Sequence, residues 1–175
     1  TKKTDDNGVN YWIGYKDAAA PDGSRLIDTI IYGGSGDDNK ITFILTGYRL
    51  INGEYKPKYQ IDYEYSGKDI VGTKKYDISG AVRVLVEESI YTGTGDGNRI
   101  SQTYVYSDKS GQLISRQDYA YNADGALTSV SYYDTTGLAT LDARKTAGQG
   151  ILLSRTVFTG AKKKEVADYT LEFAK

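Results

Sequence analysis

Eight tyrosines are each followed four or five positions later by a glycine, at Tyr32/Gly36, Tyr48/Gly53, Tyr63/Gly67, Tyr76/Gly80, Tyr91/Gly95, Tyr106/Gly111, Tyr121/Gly125 and Tyr133/Gly137. The tyrosines are spaced by 16, 15, 13, 15, 15, 15 and 12 residues. A unit of that length divides into a strand of roughly eight to ten residues and a turn of roughly four to six, in which glycine supplies a positive φ. The repeat therefore predicts a chain of consecutive hairpins.

Local pattern points the same way. Asn52-Gly53, Asp96-Gly97 and Asp124-Gly125 are hairpin-turn dipeptides. Between turns the side chains alternate with a period of two. Ile100, Gln102, Tyr104 and Tyr106 share one face of their segment, and Leu113, Ser115, Gln117, Tyr119 and Tyr121 share a face of the next. Helical signals are confined to Leu141–Thr146 and Lys163–Ala167, both short. A longer period is superimposed: residues 31–42, IYGGSGDDNKIT, match residues 90–101, IYTGTGDGNRIS, at an offset of 59. The expected fold is all-β, consecutive antiparallel hairpins in an extended or coiled repeat sheet that is partly two-layered. Tyrosines on neighbouring strands would form cross-strand ladders. The apolar runs Leu26–Tyr32, Ile41–Leu45, Val82–Ile90 and Ile151–Phe158 would face another layer or another chain. Three regions follow: an N-terminal segment 1–24, the repeat region 25–137, and C-terminal strands 138–175 that complete or cap the sheet.

The 175 residues include 17 Tyr and 20 Gly but no His, Cys or Met. Imidazole or thiolate metal sites, cysteine nucleophiles, disulfides and a Ser-His-Asp relay are thereby excluded. A net charge of −1 gives no basic footprint for nucleic acid. No apolar run approaches the roughly 18 residues of a membrane-spanning helix. A Tyr-, Gly-, Thr- and Ser-rich chain without cysteine fits an extracellular or cell-surface location, with the periplasm as a second setting. Because it begins at Thr1, the chain reads as a processed form or an excised fragment.

The segments Tyr76-Asp77-Ile78-Ser79-Gly80, Tyr104-Val105-Tyr106-Ser107-Asp108, Tyr119-Ala120-Tyr121-Asn122-Ala123-Asp124-Gly125 and Tyr132-Tyr133-Asp134-Thr135-Thr136-Gly137 resemble the YD repeats of bacterial RHS-like secreted proteins. Gly111-Gln112-Leu113-Ile114-Ser115 and Gly125-Ala126-Leu127-Thr128-Ser129 resemble that family's pattern after the turn glycine. The likeness covers about residues 60–137, while 1–60 and 138–175 depart from it. It implies a secreted or surface β-scaffold that encloses a toxin or contacts glycans or other cells. No toxin core or self-cleavage segment accompanies it.

Candidate sites follow from side-chain chemistry. Tyr104, Tyr106, Tyr119 and Tyr121 would form an exposed stacking platform for sugars, and Trp12, beside Tyr11 and Tyr15, is a separate candidate contact; the competing reading is sheet packing. Asp37, Asp38 and Asp96 lie in glycine-rich loops that resemble calcium-binding nonapeptides, so Ca2+ is the one cofactor considered, against the simpler reading of long hairpin loops. Glu87 and Glu88 are adjacent on a strand and face opposite ways, and Asp62 with Glu64 sits among solvent-type residues, so neither makes a glycosidase pair. Lys162–Lys164 reads as an exposed turn that, with Asp5-Asp6, guards strand edges. The expected role is a non-enzymatic structural subunit of a surface assembly, self-associating or meeting another surface protein through strand edges, in one form as a filament. The alternative is a carbohydrate- or protein-binding adhesin module.

Overall fold

The computed structural model describes the backbone of residues 2–4, 10–16, 25–33 and 40–174, and the side chains of 28–33 and 40–174. The chain forms two compact units, Thr1–Glu64 with Thr73–Leu85, and Tyr65–Gly72 with Val86–Lys175. Their boundary falls inside the repeat region. In the first unit β1 (Lys2–Thr4), β2 (Asn10–Lys16), β3 (Arg25–Gly33), β4 (Lys40–Thr46) and β7 (Tyr59–Ser66) pair successively and antiparallel. Strands β5 (Arg49–Ile51) and β6 (Glu54–Lys56) make a separate hairpin. Strands β7, β8 (Asp69–Asp77) and β9 (Val84–Thr92) each contribute residues to both units. In the second unit β9, β10 (Arg99–Tyr106), β11 (Leu113–Tyr121), β12 (Leu127–Asp134), β13 (Ile151–Thr159) and β14 (Val166–Glu172) pair in sequence order, all antiparallel. The fold is all-β, as the repeat requires.

Two devices make the repeat. The first is a turn cap on the residue that follows the tyrosine. Asp77 Oδ1 accepts from the Ser79 amide at 2.9 Å, and Asp134 Oδ1 accepts from the Thr136 amide at 2.9 Å. Asn122 Oδ1 accepts from the Ala126 amide at 2.9 Å, and Ser107 Oγ from the Ser110 amide at 3.2 Å. Short oxygen-bearing side chains satisfy the backbone where the ladder ends, which is why Asp, Asn and Ser recur there. Of the repeat glycines, Gly53, Gly67, Gly95, Gly111 and Gly125 adopt positive φ, whereas Gly80 and Gly137 do not; Gly36 lies outside the described residues.

The second device is a bulge near the start of a strand. Val105 stands opposite Ser115 and Tyr106 opposite Leu113, which leaves Ile114 as an extra residue. The same arithmetic singles out Ser101, Thr128, Leu153 and Asp168 in β10, β12, β13 and β14. Each bulge bends its strand and adds right-handed twist. The 59-residue offset carries this detail too. In the first unit Ile31 pairs with Phe43 and Tyr32 with Ile41; in the second, Ile90 pairs with Gln102 and Tyr91 with Ile100. Register and bulge position (Thr42 and Ser101) are thus conserved between the two hairpins.

Among the described residues the buried apolar side chains are Tyr104, Tyr106, Leu113, Ala126 and Tyr133, all in the second unit. The apolar runs expected to face another layer or another chain are mainly half-exposed where described, and Ile151 is 52% exposed. What covers β9–β11 is instead the 138–150 segment with helix α1 (Leu141–Lys145), capped by Thr140, whose Oγ1 accepts from the Ala143 amide at 3.1 Å. The other helical candidate, Lys163–Ala167, is a turn leading into β14, because Lys163 takes φ 66° and breaks any helix. Tyrosine ladders do not form between β9 and β14. Tyr104 and Tyr133 both stand opposite Arg116, Tyr119 opposite Val130, and Tyr121 opposite Leu127. Cations cover the rings instead: Lys145 over Tyr104, Arg116 over Tyr133 and Arg99 over Tyr121, each 4.6–4.7 Å from the centroid.

Candidate functional site

Register decides the fate of the tyrosine platform. With Tyr104 opposite Arg116 and Thr103 opposite Gln117, Tyr104 and Tyr106 lie on one face and Tyr119 and Tyr121 on the other. They cannot form one surface. Tyr104 and Tyr106 are also buried, at 5% and 9% exposure. The Tyr106 hydroxyl donates to Glu88 Oε2 at 2.9 Å and the Tyr104 hydroxyl to Gln102 Oε1 at 2.7 Å. Burial raises the pKa of both phenols, and for Tyr106 the Glu88 carboxylate raises it further.

The cover over this face is held by charged side chains. Arg116, fully buried, donates through Nε to Asp118 Oδ1 at 2.7 Å and through Nη2 to Asp118 Oδ2 at 3.0 Å. Its Nη1 reaches the Arg144 carbonyl at 2.8 Å and its Nη2 the Gln149 carbonyl at 2.9 Å. Asp118 Oδ2 also accepts from the Gly148 amide at 3.0 Å. Lys145 Nζ donates to Glu88 Oε2 at 2.6 Å, and Arg144 Nη1 to the Leu113 carbonyl at 2.7 Å. Buried guanidinium groups with paired acceptors fix geometry, so this is a structural clasp, not an open site.

Two features of the second unit remain accessible. One is β14, whose seven residues Val166–Glu172 are all exposed and which pairs only with β13 among the described strands. Val166, Tyr169, Leu171 and the following Phe173 are 63%, 51%, 47% and 42% exposed. The Phe173 amide donates to the Leu153 carbonyl at 2.9 Å, so alternate amides of β14 point away from β13. The sequence marks the terminal edges as expected interfaces without singling out these residues as contacts. Their signal was the alternation of apolar residues in VADYTLEF.

The other feature is a cavity of about 260 Å³ formed where three turns of the second unit converge. Asp96 and Arg99 come from the β9–β10 turn, Tyr121, Gly125 and Leu127 from around the β11–β12 turn, and Lys162, Lys163 and Glu165 from the β13–β14 turn. The Arg99 guanidinium lies over the Tyr121 ring, whose hydroxyl donates to the Ile100 carbonyl at 2.7 Å. A side chain at Gly125 would place its Cβ 2.5 Å from Arg99 Nη1, so glycine there makes room for the guanidinium. Lys162 Nζ donates to the Asp96 carbonyl at 2.7 Å. Glu165 Oε1 accepts from the Leu127 amide at 3.0 Å, and hydrogen bonds from neighbouring backbone amides hold its carboxyl below the ordinary range.

Of the expected ligand and metal residues only Tyr121 and Asp96 line this cavity, together with the repeat glycine Gly125. Tyr119 sits half-buried on β11, its hydroxyl donating to Gln117 Oε1 at 2.8 Å. Trp12 lies on β2 opposite Ile30, its side chain outside the described residues, as are Asp37 and Asp38. Among the described residues, no group of three or more acidic side chains gathers to hold a metal ion.

No family model matches the chain, and no curated protein matches it. Among solved structures, a DUF3836 family protein from Bacteroides vulgatus is 10% identical, with a TM-score of 0.35 over 63% of this chain and 97% of that one. A protein of unknown function from Bacteroides fragilis is 13% identical, with a TM-score of 0.38 over 86% of this chain and 94% of that one.

Proposed function

We propose that the protein is a structural subunit of an extracellular or cell-surface assembly, joined copy to copy through β14. The observation that carries this reading is a seven-residue edge strand, exposed along its whole length and rich in apolar side chains. Exposed edges of this kind are templates for strand addition unless a bulge, proline or charge blocks them. The bulge at Asp168 lies near the start of β14, its two charges, Asp168 and Glu172, flank Tyr169–Leu171, and no proline interrupts the strand.

The residues favour a second β14 as the occupant. Two copies crossing antiparallel about Tyr169 place Tyr169 against Tyr169, Ala167 against Leu171 and Asp168 against Thr170. Neither acid then stands directly opposite another acid, so like-charge repulsion is small. Such a contact is isologous and joins copies in pairs. The surface location rests on composition, and a scaffold role agrees with the YD-repeat resemblance.

Light scattering and sedimentation across a concentration series test the reading. The expected result is a shift from 19.2 kDa to twice that mass in the micromolar range. Tyr169→Lys sets lysine against lysine at the two-fold and should return the monomer with unchanged circular dichroism. Thr170→Pro removes an outward amide and should do the same. A wild-type chain that stays monomeric at millimolar concentration sinks the proposal.

A further inference from the structure

The turn-end cavity of the second unit has the composition of a binding site for an acidic sugar. We propose that it takes a single carboxylate-bearing monosaccharide unit, with Arg99 and Lys163 as the anion contacts.

The charge arrangement comes first. Three cations, Arg99, Lys162 and Lys163, and two acids, Asp96 and Glu165, line the space. Glu165 is engaged by backbone amides and Lys162 by the Asp96 carbonyl. The Arg99 guanidinium lies over the Tyr121 ring, its central carbon 4.6 Å from the centroid. A planar fork of donors, positioned before the ligand arrives, suits a carboxylate and binds it bidentately.

Backbone geometry supports construction at this spot. Lys163 holds φ 66°, in the left-handed region that disfavours a non-glycine residue. Lysine gives that turn nothing glycine would not give better, so the ammonium at this position asks for a role outside the turn. Gly125 supplies the space that Arg99 occupies.

Size and the remaining walls choose the ligand. A cavity of about 260 Å³ is smaller than the roughly 300–1,000 Å³ of drug-sized pockets, which suits one sugar ring. Leu127 offers an apolar surface for ring C–H groups, and Asp96 offers an acceptor for ring hydroxyls. A simple anion would use the cations and gain nothing from either. This site is separate from the β14 edge and stands or falls independently of it.

The test is titration of the full chain, observed by NMR and calorimetry, with sodium glucuronate, glucose and sodium acetate. Glucuronate should saturate with a Kd of about 1 mM or tighter, and glucose and acetate should each bind at least about tenfold more weakly. Arg99→Gln and Lys163→Gly should each weaken glucuronate by about tenfold or more. Lys163→Gly keeps the turn, because glycine adopts its φ without strain, so lost binding there is not lost folding. Absence of glucuronate binding, binding unchanged in both variants, or acetate bound as tightly as glucuronate would each overturn the assignment.

Discussion

Replacing Arg116 with methionine removes the guanidinium from the clasp while keeping a long apolar side chain in its place. The wild-type group is fully buried and makes four hydrogen bonds, two to Asp118 and one each to the carbonyls of Arg144 and Gln149. It also lies 4.7 Å from the Tyr133 ring centroid. Breaking one side of a buried pair costs about 3–5 kcal/mol, chiefly because the partner is left uncompensated. Asp118 retains Gln102 Nε2 and the Gly148 amide, both at 3.0 Å, so the lower end of that range applies. A loss of about 3 kcal/mol corresponds to a fall in Tm of roughly 6–12 °C for a chain of this size. Differential scanning calorimetry measures this, and hydrogen exchange at the Gly148 amide should accelerate because its acceptor is no longer anchored. The double variant Arg116→Met, Asp118→Leu should recover part of the loss, since it removes both charges together. A single variant that melts within about 2 °C of the wild type, with Gly148 exchange unchanged, would refute the clasp.

Three further outcomes are expected. Gly150→Ala should destabilise by more than about 1 kcal/mol, since Gly150 holds φ 97° and its Cβ would lie 2.5 Å from the Asp134 carbonyl oxygen, whereas Gly137→Ala, in open space at ordinary φ, should be nearly silent in denaturant titration. The Asp77 carboxyl is held below its ordinary 3.8 by hydrogen bonds from the Ser79 hydroxyl and amide and by Lys58. A depressed folded-state pKa gives stability that is present above the unfolded value and lost as pH falls through the folded one. Asp77→Ala should therefore narrow its gap to wild type on acidification below about pH 4, read from melts at successive pH values. In the alkaline direction, Tyr104 and Tyr106 carry raised pKa values, so their contribution is complete below the ordinary phenol value of 10.0 and is lost as pH rises. An ultraviolet titration should show a late-ionising class that Tyr106→Phe diminishes; a single titration at the ordinary value would contradict the burial argument.

The amino-acid sequence determines the all-β class, the hairpin order and the turns, because these depend on interactions between near neighbours. Alternation fixes strands, and the Asp, Asn or Ser after Tyr76, Tyr106, Tyr121 and Tyr133 caps the turn through a bond to an amide two to four residues on. The offset of 59 even announces a shared register and bulge. The tyrosine platform failed because facing depends on register between strands, and one residue of phase sends Tyr104 and Tyr119 to opposite sides. Nothing local says that the 138–150 segment returns over β9–β11, since Arg116 and its carbonyl partners are 28 and 33 residues apart along the chain. Nor does the sequence show that Arg99, Tyr121 and Lys163 share a cavity, because three separate turns meet only when the strands between them are aligned side by side. Near-neighbour chemistry set the strands and turns; which faces were buried and which side chains gathered were decided by long-range pairing.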